Sequence, residues 1–124
     1  MKKTTLYNDH LKLNAKMVDF GGFSMPIQYS GISIEHYAVR NDVGIFDVSH
    51  MGEFIVSGTD STLFLNYFCT NDINKIEIYS AQYNCLTNEN GGIIDDLIIY
   101  RLDEKKYMLV VNASNIKKDW DWLN

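Results

Sequence analysis

Residues Asn88–Tyr100 read Asn-Glu-Asn-Gly-Gly-Ile-Ile-Asp-Asp-Leu-Ile-Ile-Tyr, a polar loop that runs directly into an apolar segment. Gly91 and Gly92 can adopt positive φ without a Cβ penalty, so the chain can turn tightly there. The aliphatic residues that follow favour a β-strand. Asp95 and Asp96 interrupt this strand, although aspartate is a poor strand former and is rarely buried without a partner. We therefore expect a hairpin whose second strand carries two unusual acids.

The two acids lie on opposite faces of the predicted strand, because side chains alternate along it. Asp96 shares one face with Ile94, Ile98 and Tyr100. Asp96 and Tyr100 are then about 13 Å apart, a spacing that suits a ligand with one polar end and one flat part. In the alternative interpretation, both acids are solvated or cap backbone amides at the strand start. This stretch alone favours that alternative.

Length and composition indicate one ordinary globular domain, since 46% of the 124 residues are hydrophobic. The net charge of −5 argues against nucleic acid and anionic membranes as partners. No apolar run has the length of a membrane span or signal peptide, so we expect a cytoplasmic protein. Cys69 and Cys85 have no metal or redox spacing and are expected to be free thiols. We expect no metal site, since the histidines and cysteines lack ligand spacing.

Helices and strands are mixed along the chain, which predicts an α+β fold with a mainly antiparallel sheet and helices packed on it. The helices are expected at Thr4–Leu13, at Ile34–Asn41, after Asp60 and after Asn115. Their expected caps are Thr4 or Thr5, Ser33, Thr59 or Asp60, and Ser114 or Asn115. The strands are expected at Lys16–Phe20, Ile45–Ser49, Gly52–Ser57, Ala81–Thr87, Ile93–Leu102 and Lys106–Asn112. Met25, which precedes the only proline, is expected to be extended.

The three histidines by themselves give little indication of a catalytic site. Ser49, His50 and Asp47 suggest a hydrolase triad, but a triad is a spatial arrangement and these residues are nearly adjacent in sequence. A structural hydrogen-bonding role is therefore the favoured interpretation of His50. His10 and His36 lie on predicted helices, where we expect them to be partly exposed.

Several motifs together resemble one family. They are Ala15–Gly22 followed by Met25-Pro26, Ala38-Val39-Arg40, Gly44–Gly52, Thr70-Asn71-Asp72, Asn90–Tyr100 and Val110–Ala113. In this order, Asp-Val-Ser-His-Met-Gly and Gly-Gly-Ile-Ile-Asp-Asp-Leu are specific as a pair, although either alone is weak. The chain resembles the amino-terminal part of the glycine cleavage system T-proteins, which are aminomethyltransferases. The resemblance covers the whole chain.

The resemblance implies a function that composition cannot show. Such proteins take an aminomethyl group from the lipoyl arm of a partner, the H-protein, release ammonia and form 5,10-methylenetetrahydrofolate. It also implies that Asp96 is the catalytic carboxylate. The implied folate-binding positions are Met51, Tyr83, Asp96, Tyr100, Val111 and Asn112, with Asp95 nearby.

Residues 1–124 are then the amino-terminal part of a folate-binding domain whose later part and carboxyl-terminal barrel are absent. The chain stops inside its last predicted helix, which agrees with this expectation. We expect the chain alone to be inactive and to bind folate weakly at most. We also expect it to self-associate through bare strand edges and through Trp120, Trp122 and Leu123 of the last predicted helix. Two alternatives stay open: a folate-binding protein that assists iron–sulfur enzymes, and an interaction module without activity.

Overall fold

The computed structural model describes residues 1–124 and divides them into two compact units, Met1–His50 and Met51–Asn124. Each unit contains helices and one sheet. The expected α+β class is therefore confirmed. The longest helix has ten residues, and none of the helices combines the length and apolar character that crossing a bilayer requires.

The first unit contains a three-stranded sheet and two helices. Its elements are β1 (Lys2–Lys3), α1 (Tyr7–Lys12), β2 (Lys16–Phe20), β3 (Phe23–Gln28) and α2 (Ile32–Asn41). Strand β3 is central, parallel to β1 and antiparallel to β2. The expected strand Lys16–Phe20 is confirmed as β2, and the extended conformation expected at Met25 lies within β3. Strand β1 was not anticipated, because two exposed lysines carry no strand pattern.

Helix α2 begins differently from the expected Ser33 cap. Gly31 precedes the helix at φ 143°, a backbone conformation that glycine adopts most readily. The Glu35 carboxylate accepts hydrogen bonds from the backbone N–H of Gly31 at 2.9 Å and of Tyr29 at 2.7 Å. A carboxylate one turn into the helix therefore does the capping that was assigned to Ser33.

The expected strand Ile45–Ser49 is wrong, since residues 43–48 have no regular structure. The Asp47 carboxylate is 2% exposed and accepts hydrogen bonds from Thr4 Oγ1 at 2.9 Å, His10 Nε2 at 2.8 Å and Ser49 Oγ at 2.6 Å. Burial raises the pKa of Asp47, but these hydrogen bonds outweigh it and hold the pKa well below its usual range. The segment is therefore fixed by side chains and not by a ladder of backbone bonds.

The same network corrects two further expectations. Helix α1 begins after Leu6 without a side-chain cap, because the Thr4 hydroxyl that was expected to cap it donates to Asp47. His10 is buried, with only 5% of its surface exposed, whereas we expected partial exposure. His36 on α2 is exposed.

The second unit contains a four-stranded antiparallel sheet. Its elements are β4 (Gly52–Ser57), α3 (Ser61–Phe68), β5 (Ala81–Thr87), β6 (Ile93–Asp103), β7 (Lys106–Val111) and α4 (Ile116–Leu123). The strand order is β4-β7-β6-β5. All four strands agree with the sequence-based bounds to within one residue.

The hairpin turn between β5 and β6 forms as expected. Gly91 has φ 77°, which a residue with a Cβ rarely adopts. The Asn88 side-chain oxygen accepts from the backbone N–H of Asn90 at 3.0 Å and of Gly92 at 2.8 Å. These bonds fix the start of β6 and hence the register of the two acids.

One face of this sheet forms the core of the second unit. Buried residues of the strands pack there with residues of α3 and α4, among them Phe54, Leu65, Leu86, Leu97, Ile99, Leu109, Val111, Ile116 and Leu123. Gly52 permits the close approach of α4, since a Cβ there would lie 2.6 Å from Ile116 Cγ1. Helices packed on an antiparallel sheet are thus confirmed.

Candidate functional site

The two acids of β6 lie in opposite environments, as the alternation predicts. Asp95 points to the core face and is 6% exposed. Asp96 is exposed on the other face. The expected neighbours follow this division: Leu97 and Ile99 are buried beside Asp95, whereas Tyr100 is 36% exposed on the face of Asp96. One strand therefore presents one acid to the core and the next to the open face.

Asp96 has two side-chain donors from the neighbouring strands. Tyr83 on β5 donates its hydroxyl to Asp96 Oδ2 at 3.1 Å. Asn112, directly after β7, donates Nδ2 to Asp96 Oδ1 at 2.9 Å. The hydrogen bond to Asp96 is the largest cause of a raised Tyr83 pKa, so the phenol keeps its proton as a donor. The structure thus brings together three of the six proposed site residues.

The amide of Asn112 also connects the two acids. Its Nδ2 lies 3.1 Å from Asp95 Oδ1, in addition to its contact with Asp96. Both partners are carboxylate oxygens, which only accept, so the amide nitrogen must face them. Asn112 Oδ1 is then turned away and accepts no hydrogen bond within the chain. The site therefore offers an acceptor from Asn112 beside a carboxylate from Asp96.

The remaining proposed positions surround this group in different ways. Tyr100 shares the open face with Asp96, four residues along β6. Met51 directly precedes Gly52, which pairs with Val111 at the end of β7 next to Asn112. The Val111 side chain is fully buried in the core. The Val111 side chain is therefore not on the open face, and Val111 is near the site only because it directly precedes Asn112.

Asp96 lies on the exposed face of the sheet, together with Tyr83 and Tyr100. Three concavities are lined by other residues: one near Phe54 and Trp120, a second near Ile93 and Trp122, and a third in the first unit near Phe46.

Asp119 on α4 was not anticipated from the sequence. It is fully buried, and both of its carboxyl oxygens lack an ordinary donor. Burial, together with hydrogen bonding to the Asp95 carboxyl and its charge, raises the pKa of Asp119 to about 7. Two carboxyl groups can bond each other only when one carries a proton, so Asp119 is the protonated partner. One sequence signal could have identified Asp119 as buried. It is spaced three residues from Ile116 and four from Leu123, which places it on the apolar stripe of α4.

Asp95 is the ionised member of this pair. Burial raises its pKa, but hydrogen bonds from Asp119, Asn112 and Asn115 outweigh burial and hold the pKa below its usual range. Asn115 donates Nδ2 to Asp95 Oδ1 at 2.7 Å. Asn115 precedes α4 as expected, yet its side chain makes no cap bond to the helix, because it is engaged with Asp95.

The Ser49–His50–Asp47 arrangement is not a triad in the structure. Asp47 bonds to Ser49 and to His10. His50 is buried beside the rings of Phe20 and Phe23, at centroid distances of 5.4 and 6.4 Å. The hydrogen-bonding role that the sequence favoured for His50 is wrong, since its buried Nδ1 has no hydrogen-bond partner and the ring is held by packing. The chain contains no group of three or more histidine, cysteine or acidic side chains that could hold a metal ion, and both cysteines are free.

Comparison with known proteins gives consistent matches over almost the whole chain. Residues 6–124 match the GCVT N-terminal domain family. The chain is 57% identical over 123 residues to an aminomethyltransferase of Chlorobium phaeobacteroides, covering 99% of this chain and 34% of that protein. It is 53% identical over 124 residues to an aminomethyltransferase of Staphylococcus carnosus, with coverages of 100% and 34%.

A solved structure agrees with these sequence matches. The glycine cleavage system aminomethyltransferase T from Bartonella henselae superposes with a TM-score of 0.92 at 41% identity, covering 98% of this chain and 34% of that one. This chain therefore spans about a third of the length of the relatives that it matches.

The protonated Asp119 makes the stability of the chain depend on pH. Its pKa is about 7 in the folded chain and about 4 when unfolded, so the folded chain holds a proton that the unfolded chain has released between these values. We predict that the free energy of unfolding falls as the pH rises from about 4 to about 7, by on the order of 3 kcal/mol for this group. Urea unfolding followed by tryptophan fluorescence measures it.

Asp119→Asn removes the titrating group. The free energy of unfolding of this variant should therefore not show the part of the pH dependence that Asp119 causes. Asp121→Asn is the matched control, because Asp121 is an exposed acid on the same helix. Equal slopes of stability against pH in the chain with and without Asp119→Asn would contradict the assignment.

Proposed function

The chain belongs to the GCVT N-terminal domain family, and from this membership we propose that it is the amino-terminal part of a glycine cleavage aminomethyltransferase. The proposed reaction transfers the methylene of an aminomethyl group from the lipoyl arm of the H-protein to tetrahydrofolate, with release of ammonia. The observation that carries the proposal is the exposed Asp96 carboxylate, held by Tyr83 and Asn112 on an open sheet face.

In this proposal Asp96 is the catalytic residue. In the proposed reaction two folate nitrogens each bond to the methylene carbon and lose a proton, while the bonds from that carbon to the ammonia nitrogen and to the lipoyl sulfur break, and the sulfur leaves as a thiol. A carboxylate beside the reacting nitrogen can accept a proton and stabilise developing positive charge. Asp96 is suited to this because its two donors fix its orientation and leave it on the exposed face.

The proposed folate-binding residues are Met51, Tyr83, Asp96, Tyr100, Val111 and Asn112. A pterin has both donors and acceptors on one edge, and the free oxygen of Asn112 and the carboxylate of Asp96 offer acceptors to the donors. Tyr83 and Tyr100 are exposed on that face and provide flat surfaces for an aromatic ring. Val111 fits only as the neighbour that positions Asn112, since its side chain is buried.

We place the reaction in the cytoplasm, with the lipoylated H-protein and tetrahydrofolate as the two partners. Tetrahydrofolate enters as a substrate, and the proposed chemistry needs no metal. The net charge of −5 supports a protein partner over nucleic acid or an anionic membrane.

Asp96→Asn in the full-length protein should lower methylenetetrahydrofolate formation by at least about a hundredfold, because the amide cannot accept the proton. The fold should persist, since the side chain is exposed and the amide is isosteric. The measurement is steady-state formation of methylenetetrahydrofolate from aminomethylated H-protein, with circular dichroism as the check on folding.

Asp60→Asn is the control for that variant, because Asp60 is an exposed acid whose side chain makes no bond to the helix it precedes. It should have unchanged turnover. Normal turnover in Asp96→Asn would exclude Asp96 as the catalytic group.

The 124-residue chain alone should be inactive in transfer and should bind tetrahydrofolate weakly. It spans about a third of its relatives, and one carboxylate with ring contacts supplies only part of a binding free energy that must also offset lost translational freedom. Calorimetry with tetrahydrofolate measures the affinity. Sub-micromolar binding, or transfer activity of this chain, would show that residues 1–124 contain a complete site.

We also propose that the isolated chain self-associates through its exposed apolar segment 43–46. Val43 is 83% exposed, Ile45 99% and Phe46 70%. Removing apolar surface from water contributes about 25 cal/mol per Å², so a few hundred Å² favour pairing with a second copy. Sedimentation at tens of micromolar should show a dimer, and Ile45→Asp should weaken it. A clean monomer at that concentration would contradict self-association.

A further inference from the structure

We propose that Asp119 is a positioning residue for the folate site: by donating its proton to Asp95, it keeps Asp95 and Asn112 in the arrangement that presents Asn112 Oδ1 to the ligand. This inference rests on the proposed function and assigns a role to a residue on the opposite side of the sheet from Asp96. The connection runs from α4, through the core face of β6, to the end of β7.

The first step is the contact between the two buried acids. Asp119 is fully buried and Asp95 is 6% exposed. Neither Asp119 oxygen has an amide or hydroxyl donor, and Asp95 Oδ2 is also without one. A proton shared between the two carboxyls pairs Asp95 Oδ2 with one oxygen of Asp119, whereas two buried charges side by side would be strongly unfavourable.

The second step is the arrangement around Asp95 Oδ1. This atom accepts from Asn115 Nδ2 at 2.7 Å and from Asn112 Nδ2 at 3.1 Å. Asp95 therefore uses one oxygen for the two asparagines and leaves the other for Asp119. If Asp119 lost its proton, Asp95 would face a like charge on one side, and its hold on both asparagines would weaken.

The third step joins Asn112 to the open face. The same Asn112 nitrogen that reaches Asp95 also bonds to Asp96 Oδ1 and to the Asp96 backbone oxygen. Losing the bond to Asp95 leaves the amide held by Asp96 alone, so the orientation of its oxygen towards the ligand is less firmly fixed. An altered Asp119 thus affects the ligand-facing acceptor although Asp119 itself contacts no ligand.

The charged groups around Asp119 are few. Asp95 of β6 raises its pKa by hydrogen bonding and by charge, and Lys118 of the same helix opposes this more weakly. Lys118 Nζ donates to the Ile94 backbone oxygen at 2.5 Å, and Asn112 and Asn115 are neutral. The titration therefore depends mainly on the pair itself.

The activity experiment uses three variants in the full-length enzyme. Asp119→Asn keeps a donor to Asp95 without titrating, Asp119→Leu removes the donor and keeps the branched shape of the side chain, and Asp121→Asn is the exposed control on the same helix. The readouts are kcat and KM for tetrahydrofolate between about pH 6 and pH 8.5. A purely structural role would not separate the pH profiles of Asp119→Asn and the unaltered enzyme.

The expected result has a definite sign. The unaltered enzyme should lose kcat/KM as the pH rises through about 7, whereas Asp119→Asn should retain most activity at pH 6 and lose this decline. Asp119→Leu should lower kcat/KM for tetrahydrofolate about tenfold, the effect of one lost hydrogen bond to a charged group. Identical pH profiles for Asp119→Asn and the unaltered enzyme would overturn the proposal.

A second measurement needs neither transfer activity nor a folded Leu variant. In the unaltered 124-residue chain, the side-chain NH₂ signals of Asn112 and the carboxyl carbon of Asp119 should shift by NMR with the same midpoint. Asn112 signals that do not respond while Asp119 titrates would overturn the positioning role. Coupled signals in this chain together with absence of transferase activity in the full-length protein would instead refute the proposed function alone.

Discussion

The hydrogen bonds from the Asn112 amide to Asp95 and Asp96 are the interaction on which the site depends. These two carboxylates belong to neighbouring residues of β6 and therefore lie on opposite faces of the sheet. Asn112, at the end of the adjacent strand β7, lies where its amide nitrogen reaches both, at 3.1 and 2.9 Å. Because both partners only accept, the orientation of the amide is determined, and its oxygen is available to a ligand.

The sheet of the second unit has one face that forms the core and an opposite face that carries the proposed site. Its core face contains Leu97, Ile99 and Leu109, fully or almost fully buried, whose burial stabilises the fold. Its open face carries Asp96 and two exposed tyrosines, which contribute little to the core. Asp95 belongs to the core face by position but to the site by its bond to Asn112, and it is kept ionised by three donors. The buried side thereby controls the geometry of the exposed side.

The sequence was most informative where structure depends on near neighbours. The hairpin glycines and the alternation of β6 predicted the strand bounds and the opposite environments of Asp95 and Asp96. It failed where side chains bond across long separations. Residues 45–49 are not a strand because Asp47 bonds to Thr4 and His10, and the role of Asp119 depends on an acid 24 positions earlier in the chain. The exposed face of Asp96 also has no sequence pattern that identifies a ligand. The proposal of tetrahydrofolate came from the resemblance to the family.

A crystal structure of the full-length protein with tetrahydrofolate would show which face of the sheet the ligand occupies. We expect the pterin to lie on the open face of β6, with its polar edge within about 3.2 Å of Asp96 and of Asn112 Oδ1. A pterin bound away from this face, with Asp96 and Asn112 free of the ligand, would contradict this expectation.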